Sequence, residues 1–269
     1  MESIVILADF TPESAAALAY GYTLASEKGL PVVLVYVYDV PLLYAPDAFS
    51  GTFLPLEDAQ SIATESLQKL SAEYTARYPH VSTTTRLALM GAETVLDENR
   101  QTANSLIIVG INPENIHDWW EDNRGLDMLR DSHHNVLAVQ PGYNYRPVKR
   151  ILLALQANQS PEHFPLASLQ AMLSFTGASL HVVTVNAESA LPLSLQQSLD
   201  VLGATSEVIS GSEDVDATLA RLVTETPTDW LAVVPGEYGF WAGLFHKSHT
   251  VALAEHSSVP LLALHLKQA

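Results

Sequence analysis

The sequence contains no cysteine, so disulfides, thiolate nucleophiles and zinc–thiolate centres are all excluded. Basic residues are scarce: 13 Lys and Arg stand against 30 Asp and Glu, giving a formal charge of −17. Such a field repels polyanions, which argues against nucleic acid or an anionic membrane surface as a partner. A small anion remains compatible, because distant surface charge is screened over about 8 to 10 Å and a local cluster of backbone donors can outweigh it. Long apolar runs are missing as well. None approaches the roughly 20 residues of a membrane span, and the opening MESIVILADF lacks the basic start and extended apolar stretch of a secretory signal. The expected location is the cytoplasm. Catalytic signatures are absent too: there is no Gly-x-Ser-x-Gly and no Walker motif, so no dedicated enzyme is expected. His246 and His249 share a helix face by spacing but have no carboxylate at a defined interval, and they read as solvated or capping residues rather than metal ligands.

What is present is a folding composition, 48% hydrophobic and 16% charged over 269 residues, enough for two domains that each bury a core. Ser3 to Ala8 is a continuous apolar run of the buried parallel-strand type, followed by Asp9-Phe10-Thr11-Pro12-Glu13, a turn with helix-start chemistry. A helix is predicted from Ser14 to Glu27, stopped by Gly29, and a second buried strand from Pro31 to Asp39. Val40 to Pro55 reads as a long loop, too apolar at Leu42, Leu43, Tyr44, Phe49 and Phe53 for a free linker and placed to act as a lid. Glu57 to Tyr78 has helical spacing at Ile62, Leu67, Leu70 and Tyr74, and Val81 to Leu89 is a β-rich run leading to Gly91. Further on come a helix (Glu93 to Ala103), a strand ending at Gly110, an acidic loop holding Trp119-Trp120, a short helix (Leu126 to Ser132) and a strand from Asn135 to Val139. The tryptophan pair reads as packing against the other half or as a stacking surface. Five strands alternating with helices predict an α/β unit with a parallel sheet covered on both faces.

A turn-rich linker, Pro141 to Pro147, interrupts this pattern, which then begins again. Lys149 to Leu155 restates the first strand, Pro161 to Thr176 the first helix, Ser179 to Val185 the second strand, and Val259 to Leu264 the last. Ile4 aligns with Ile151, whereas Leu106 aligns with Leu231 and Val136 with Leu261. The second copy is shorter chiefly where Val40 to Pro55 sits in the first. The division expected is 1–142 and 147–269, two tandem five-stranded units.

Two stretches, IVILADFTPESAAALAYGYTLA and LFHKSHTVALAEHSSVPLLALH, together with this order of elements, resemble the universal stress protein family in its tandem form. The resemblance implies a Rossmann-like fold of the adenine nucleotide alpha hydrolase type, with the two halves paired through their fifth strands as an intramolecular pseudo-dimer. A second copy of the chain is a further candidate partner. The resemblance also implies a cytoplasmic stress-response role and a site for ATP or a related adenine nucleotide. In the family an Asp after strand 1 serves the adenosine end, and Gly-x2-Gly-x9-Gly-(Ser or Thr) after strand 4 cradles the phosphates.

Carried over residue by residue, Asp9 is in place in the first copy, while the second has Gln156. Gly236 and Gly239 supply two turn glycines in the second copy, where the first has Gly110 followed by Pro113. The closing pair aligns as His249-Thr250 or as Lys247-Ser248, and neither alignment supplies the third glycine. The candidate ligand residues are therefore Asp9, Thr11, Gly91 and Gly110 in the first half and Gly236, Gly239, Lys247, Ser248, His249 and Thr250 in the second. The reading is a ligand sensor with a degenerate nucleotide site and no assigned catalytic step. An interaction module that binds no nucleotide and a weak ATPase are the alternatives. The stretch beside Gly236, Gly239 and Ser248 is the first place to look.

Overall fold

The computed structural model describes residues 1–38, 42–43, 52–53, 55–89, 104–111, 132–185, 191–209, 215–235 and 259–266. The first half supplies β1 (Ser3–Ala8), α1 (Pro12–Lys28), β2 (Val32–Tyr38), α2 (Leu56–Arg77), β5 (Thr83–Leu89), β6 (Ser105–Gly110) and β7 (Asn135–Val139). Between β2 and α2, β3 (Leu42–Leu43) and β4 (Thr52–Phe53) form a two-residue antiparallel ladder. The second half supplies β8 (Arg150–Gln156), α3 (Leu166–Thr176), β9 (Ser179–Val185), α4 (Leu193–Val201), β10 (Thr205–Ile209), α5 (Val215–Glu225), β11 (Trp230–Val233) and β12 (Leu261–Ala263). The predicted helix at Glu93 to Ala103 lies outside the described residues, as do that at Leu126 to Ser132 except for Ser132 itself and most of the lid candidate.

One ten-stranded sheet runs β10-β9-β8-β11-β12-β7-β6-β1-β2-β5. Each side of its centre has the same internal order, with the half's first strand flanked by its second and fourth. All neighbours are parallel except β7 and β12, which pair antiparallel as Val136↔Ala263, Leu137↔Leu262 and Ala138↔Leu261. The sequence offset that carries Val136 to Leu261 carries Leu137 to Leu262 and Ala138 to Ala263, so it maps this set of pairs onto itself. Leu137 and Leu262 thus mark a local twofold axis between the halves. Both strands are apolar because both are buried on the two faces of the sheet, as β1 is with all six residues buried.

Two hydrophobic layers cover the sheet. Residues of α1, α2, α3 and α4 pack on one face with Ile4, Ile6, Leu106, Leu137, Leu153 and Trp230, and Leu219, Leu222 and Val223 of α5 pack on the other. The expected buried face of α2 is corrected at one position. Ile62 is 58% exposed, and the helix instead buries Ala59, Ala63, Leu67 and Tyr74. An i, i+4 progression through small residues lets the helix approach the sheet closely, and a β-branched side chain off that stripe stays in water. The start of α3 is corrected as well: Pro161–His163 is a separate 3₁₀ turn, Phe164 is buried, and the helix begins only at Leu166.

The segment read as a linker is packed. Tyr143 and Tyr145 lie 6.0 and 5.1 Å, centroid to centroid, from Tyr20 of α1. The Trp230 indole N–H donates to the Tyr20 hydroxyl at 2.7 Å, a fully buried bond between the halves. Burial pushes the Tyr20 phenol well above its ordinary range. Tyr145 donates to a Glu27 carboxylate oxygen at 2.7 Å, and burial together with that carboxylate raises its own ionisation. Arg146 pairs with Asp229 at 3.1 Å, and the other Asp229 oxygen accepts from the backbone of Lys149 and Arg150. These bonds tie the connection to both halves.

Candidate functional site

Strands β2 and β6 flank β1 on opposite sides, so the carboxyl end of β1 is the topological switch point of the first half. Crevices that take ligands in open α/β sheets form at this position. Only three residues, Asp9 to Thr11, connect β1 to α1. The Asp9 Oδ1 atom accepts from the Thr11 N–H at 3.0 Å and from the Thr11 hydroxyl at 2.6 Å. Thr11 in turn caps the helix, its Oγ1 accepting from Ser14 N–H at 3.2 Å. The Asp9 N–H donates back to the Ser14 hydroxyl at 3.4 Å. Asp9 is exposed, and these bonds use one of its two carboxylate oxygens.

The cap decides which part of a ligand this crevice suits. Pro12 has no N–H, and the N–H groups of Ser14 and Ala15 are bonded to Thr11. Of the first four residues of α1, Glu13 alone keeps an N–H outside this network, and it adds its own carboxylate to the first turn. A helix start with its donors taken and two carboxylates beside it is a poor cradle for phosphate. It is a good acceptor for the hydroxyls or amino group of a neutral ring system.

Gly110, at the end of β6, lies against the first turn of α1. A Cβ there would overlap the Glu13 carbonyl and stand 2.6 Å from the Ser14 nitrogen. The glycine permits backbone-to-backbone contact between β6 and the first turn of α1, so its lack of a side chain is spent on packing. The structure therefore brings Asp9, Thr11 and Gly110 together through α1. Gly91, Gly236, Gly239, Lys247, Ser248, His249 and Thr250 lie outside the described residues, as do Trp119, Trp120, His246 and His256.

Sequence reasoning treated Asp9 and the Gly236 turn as parts of one divided signature. Gly236 lies outside the described residues, and the sheet separates the strands that precede the two turns. Because β7 and β12 are antiparallel, the carboxyl ends of β1 and β11 open on opposite long edges of the sheet, and the two strands themselves lie four strand spacings apart across it, roughly 19 Å. The second half also differs at its own first turn. Gln156 ends β8, nine residues precede α3 where three precede α1, and α3 has no side-chain cap.

The sequence reading missed Phe10. It has a φ of 64°, the only positive value at a non-glycine residue among those described. For an aromatic residue this conformation costs about 1 to 2 kcal/mol. The only hint in the sequence is the shortness of the connection, since three residues between a strand and a capped helix leave the middle one little choice of backbone.

A sequence profile of the universal stress protein family matches residues 1–118. Among solved structures, a universal stress protein from Archaeoglobus fulgidus DSM 4304 superposes with a TM-score of 0.67 at 13% identity, covering 98% of this chain and 96% of its own. A functionally unknown protein from Pseudomonas aeruginosa PAO1 gives 0.53 at 15% identity, covering 99% and 93%. At such identities these are likenesses of fold. No curated protein matches the sequence.

Proposed function

We propose that the chain is a stress-response ligand sensor of the universal stress protein family, whose model residues 1–118 match. Its site is the crevice at the carboxyl end of β1, which receives the nucleoside end of an adenine nucleotide. The observation that carries this reading is Asp9, fixed by Thr11 through one oxygen and exposed at the switch point of the sheet. With only the Glu13 N–H of the first turn of α1 left outside the capping network, the phosphates gain little here, and nucleotide binding is weak. No chemical step is assigned. We propose further that the second half is a diverged copy whose first turn has been rebuilt around Phe164 and whose ligand site, if used, is separate.

A second reading, an interaction module without nucleotide, is favoured by Gly110, whose open side is filled by the backbone of α1. Mass spectrometry of small molecules released from freshly purified protein separates the two. The sensor reading expects adenine nucleotide or nucleoside from the wild-type chain and its loss from Asp9→Ala. A clean spectrum from the wild type, together with no thermal shift on adding ATP, would leave the interaction module.

A further inference from the structure

The turn between β1 and α1 is complete without the side chain at position 10. All its bonds run among Asp9, Thr11 and Ser14. A glycine at position 10 would reach the same left-handed backbone at no steric cost. Phenylalanine instead accepts a strained conformation and leaves 48% of its surface in water. The ring is nonetheless held in place, edge-on to Tyr36 with centroids 4.7 Å apart and planes at 85°. Tyr36 lies on β2 directly beside Ala8, and Tyr38 stands 6.3 Å further along the same strand. An exposed aromatic ring is thus buttressed by a half-buried tyrosine, next in sequence to the exposed Asp9 carboxylate at the carboxyl end of β1.

We propose that Phe10 is the specificity-determining residue of this site, an aromatic wall that stacks on a planar heterocycle while Asp9 accepts from the polar groups attached to it. The inference rests on the nucleoside reading of the crevice and adds which residue selects the ligand class. Base–aromatic stacking tolerates many ring systems, because every base has a π face. The wall therefore selects for a flat ring, and Asp9 selects for donors on it. Sugar phosphates without a base satisfy neither requirement.

The test is titration calorimetry of the full-length wild type, Phe10→Leu, Phe10→Trp and Asp9→Ala with ATP, and with inorganic triphosphate as the ligand without a base. Phe10→Leu keeps an apolar side chain and the strained backbone but removes the π face. The expected result is about a tenfold weaker ATP affinity for Phe10→Leu, the low end of the stacking range, with Phe10→Trp at least as tight as wild type. Triphosphate should give the same response with wild type, Phe10→Leu and Phe10→Trp. Thermal melts without ligand confirm that each variant is folded. If Phe10→Leu binds ATP as tightly as wild type while Asp9→Ala does not, the wall is overturned and the site stands. If the wild type binds no ATP, both fall.

Discussion

Replacing Trp230 with phenylalanine removes the one indole N–H that reaches the Tyr20 hydroxyl, in a place where both residues are almost wholly buried. A buried hydroxyl left without its partner costs about 1 to 3 kcal/mol, so Trp230→Phe should lower the urea midpoint clearly. Tyr20→Phe should do the same by orphaning the indole. The double variant, with neither polar group, should lose less than the sum of the two singles. Additive losses would show that the bond does not contribute to holding the halves together. Neither residue stands out in the sequence as a partner of the other. Tyr20 reads as one more aromatic on the face of α1 and Trp230 as the start of a strand. Their meeting depends on how the second half is placed against the first, which no local pattern encodes. Phe10 was illegible for a related reason, since its backbone is set by the bonds of Asp9 and Thr11 to each other and to the helix.

At the scale of elements, α1 is the piece on which the site depends. Thr11 caps it, Gly110 lies against its first turn, and Gly21 lets it settle on Ile6, where a Cβ would stand 2.6 Å from the Ile6 side chain. Thr11→Ala should cost about 1 kcal/mol through the lost cap. It should also weaken ATP binding in the same calorimetric titration, because Asp9 loses the Thr11 hydroxyl, the shorter of the two bonds that orient it, and keeps only the backbone N–H of residue 11. A normal affinity with reduced stability would mean that the cap matters to the fold alone. Strands were the most legible elements, since runs such as SIVILA and SLIIVG are buried on both faces and read as continuous apolar segments. Helix faces were less so. The stripe of α2 runs through alanines, which carry little hydrophobic signal, and Ile62 drew attention to the wrong side. The start of α3 was hidden because Pro161 and Pro165 both have helix-start chemistry, and only the burial of Phe164 between them separates the 3₁₀ turn from the helix.

For the whole molecule, the repeat in sequence becomes a near-symmetric sheet, and the antiparallel pairing of β7 with β12 fixes the consequence for function. Two carboxyl edges face opposite ways, so the ends of β1 and β11 open on different sides of the sheet. The sequence carried the turns after both strands and could not say that those strands lie apart, because motif matching has no direction in space. The same sheet makes the first half the better place for a ligand: it has the acidic turn, the three-residue connection and the capped helix, and the second half has none of these. The chain then carries one nucleoside-recognising site in the proposed reading, built on Asp9. Calorimetric titration with adenosine, which has a base and ribose but no phosphate, tests it most directly when wild type, Asp9→Ala and Ser248→Ala are compared. One adenosine per chain is expected for the wild type and for Ser248→Ala, and none for Asp9→Ala. Binding that survives Asp9→Ala and disappears in Ser248→Ala would contradict it.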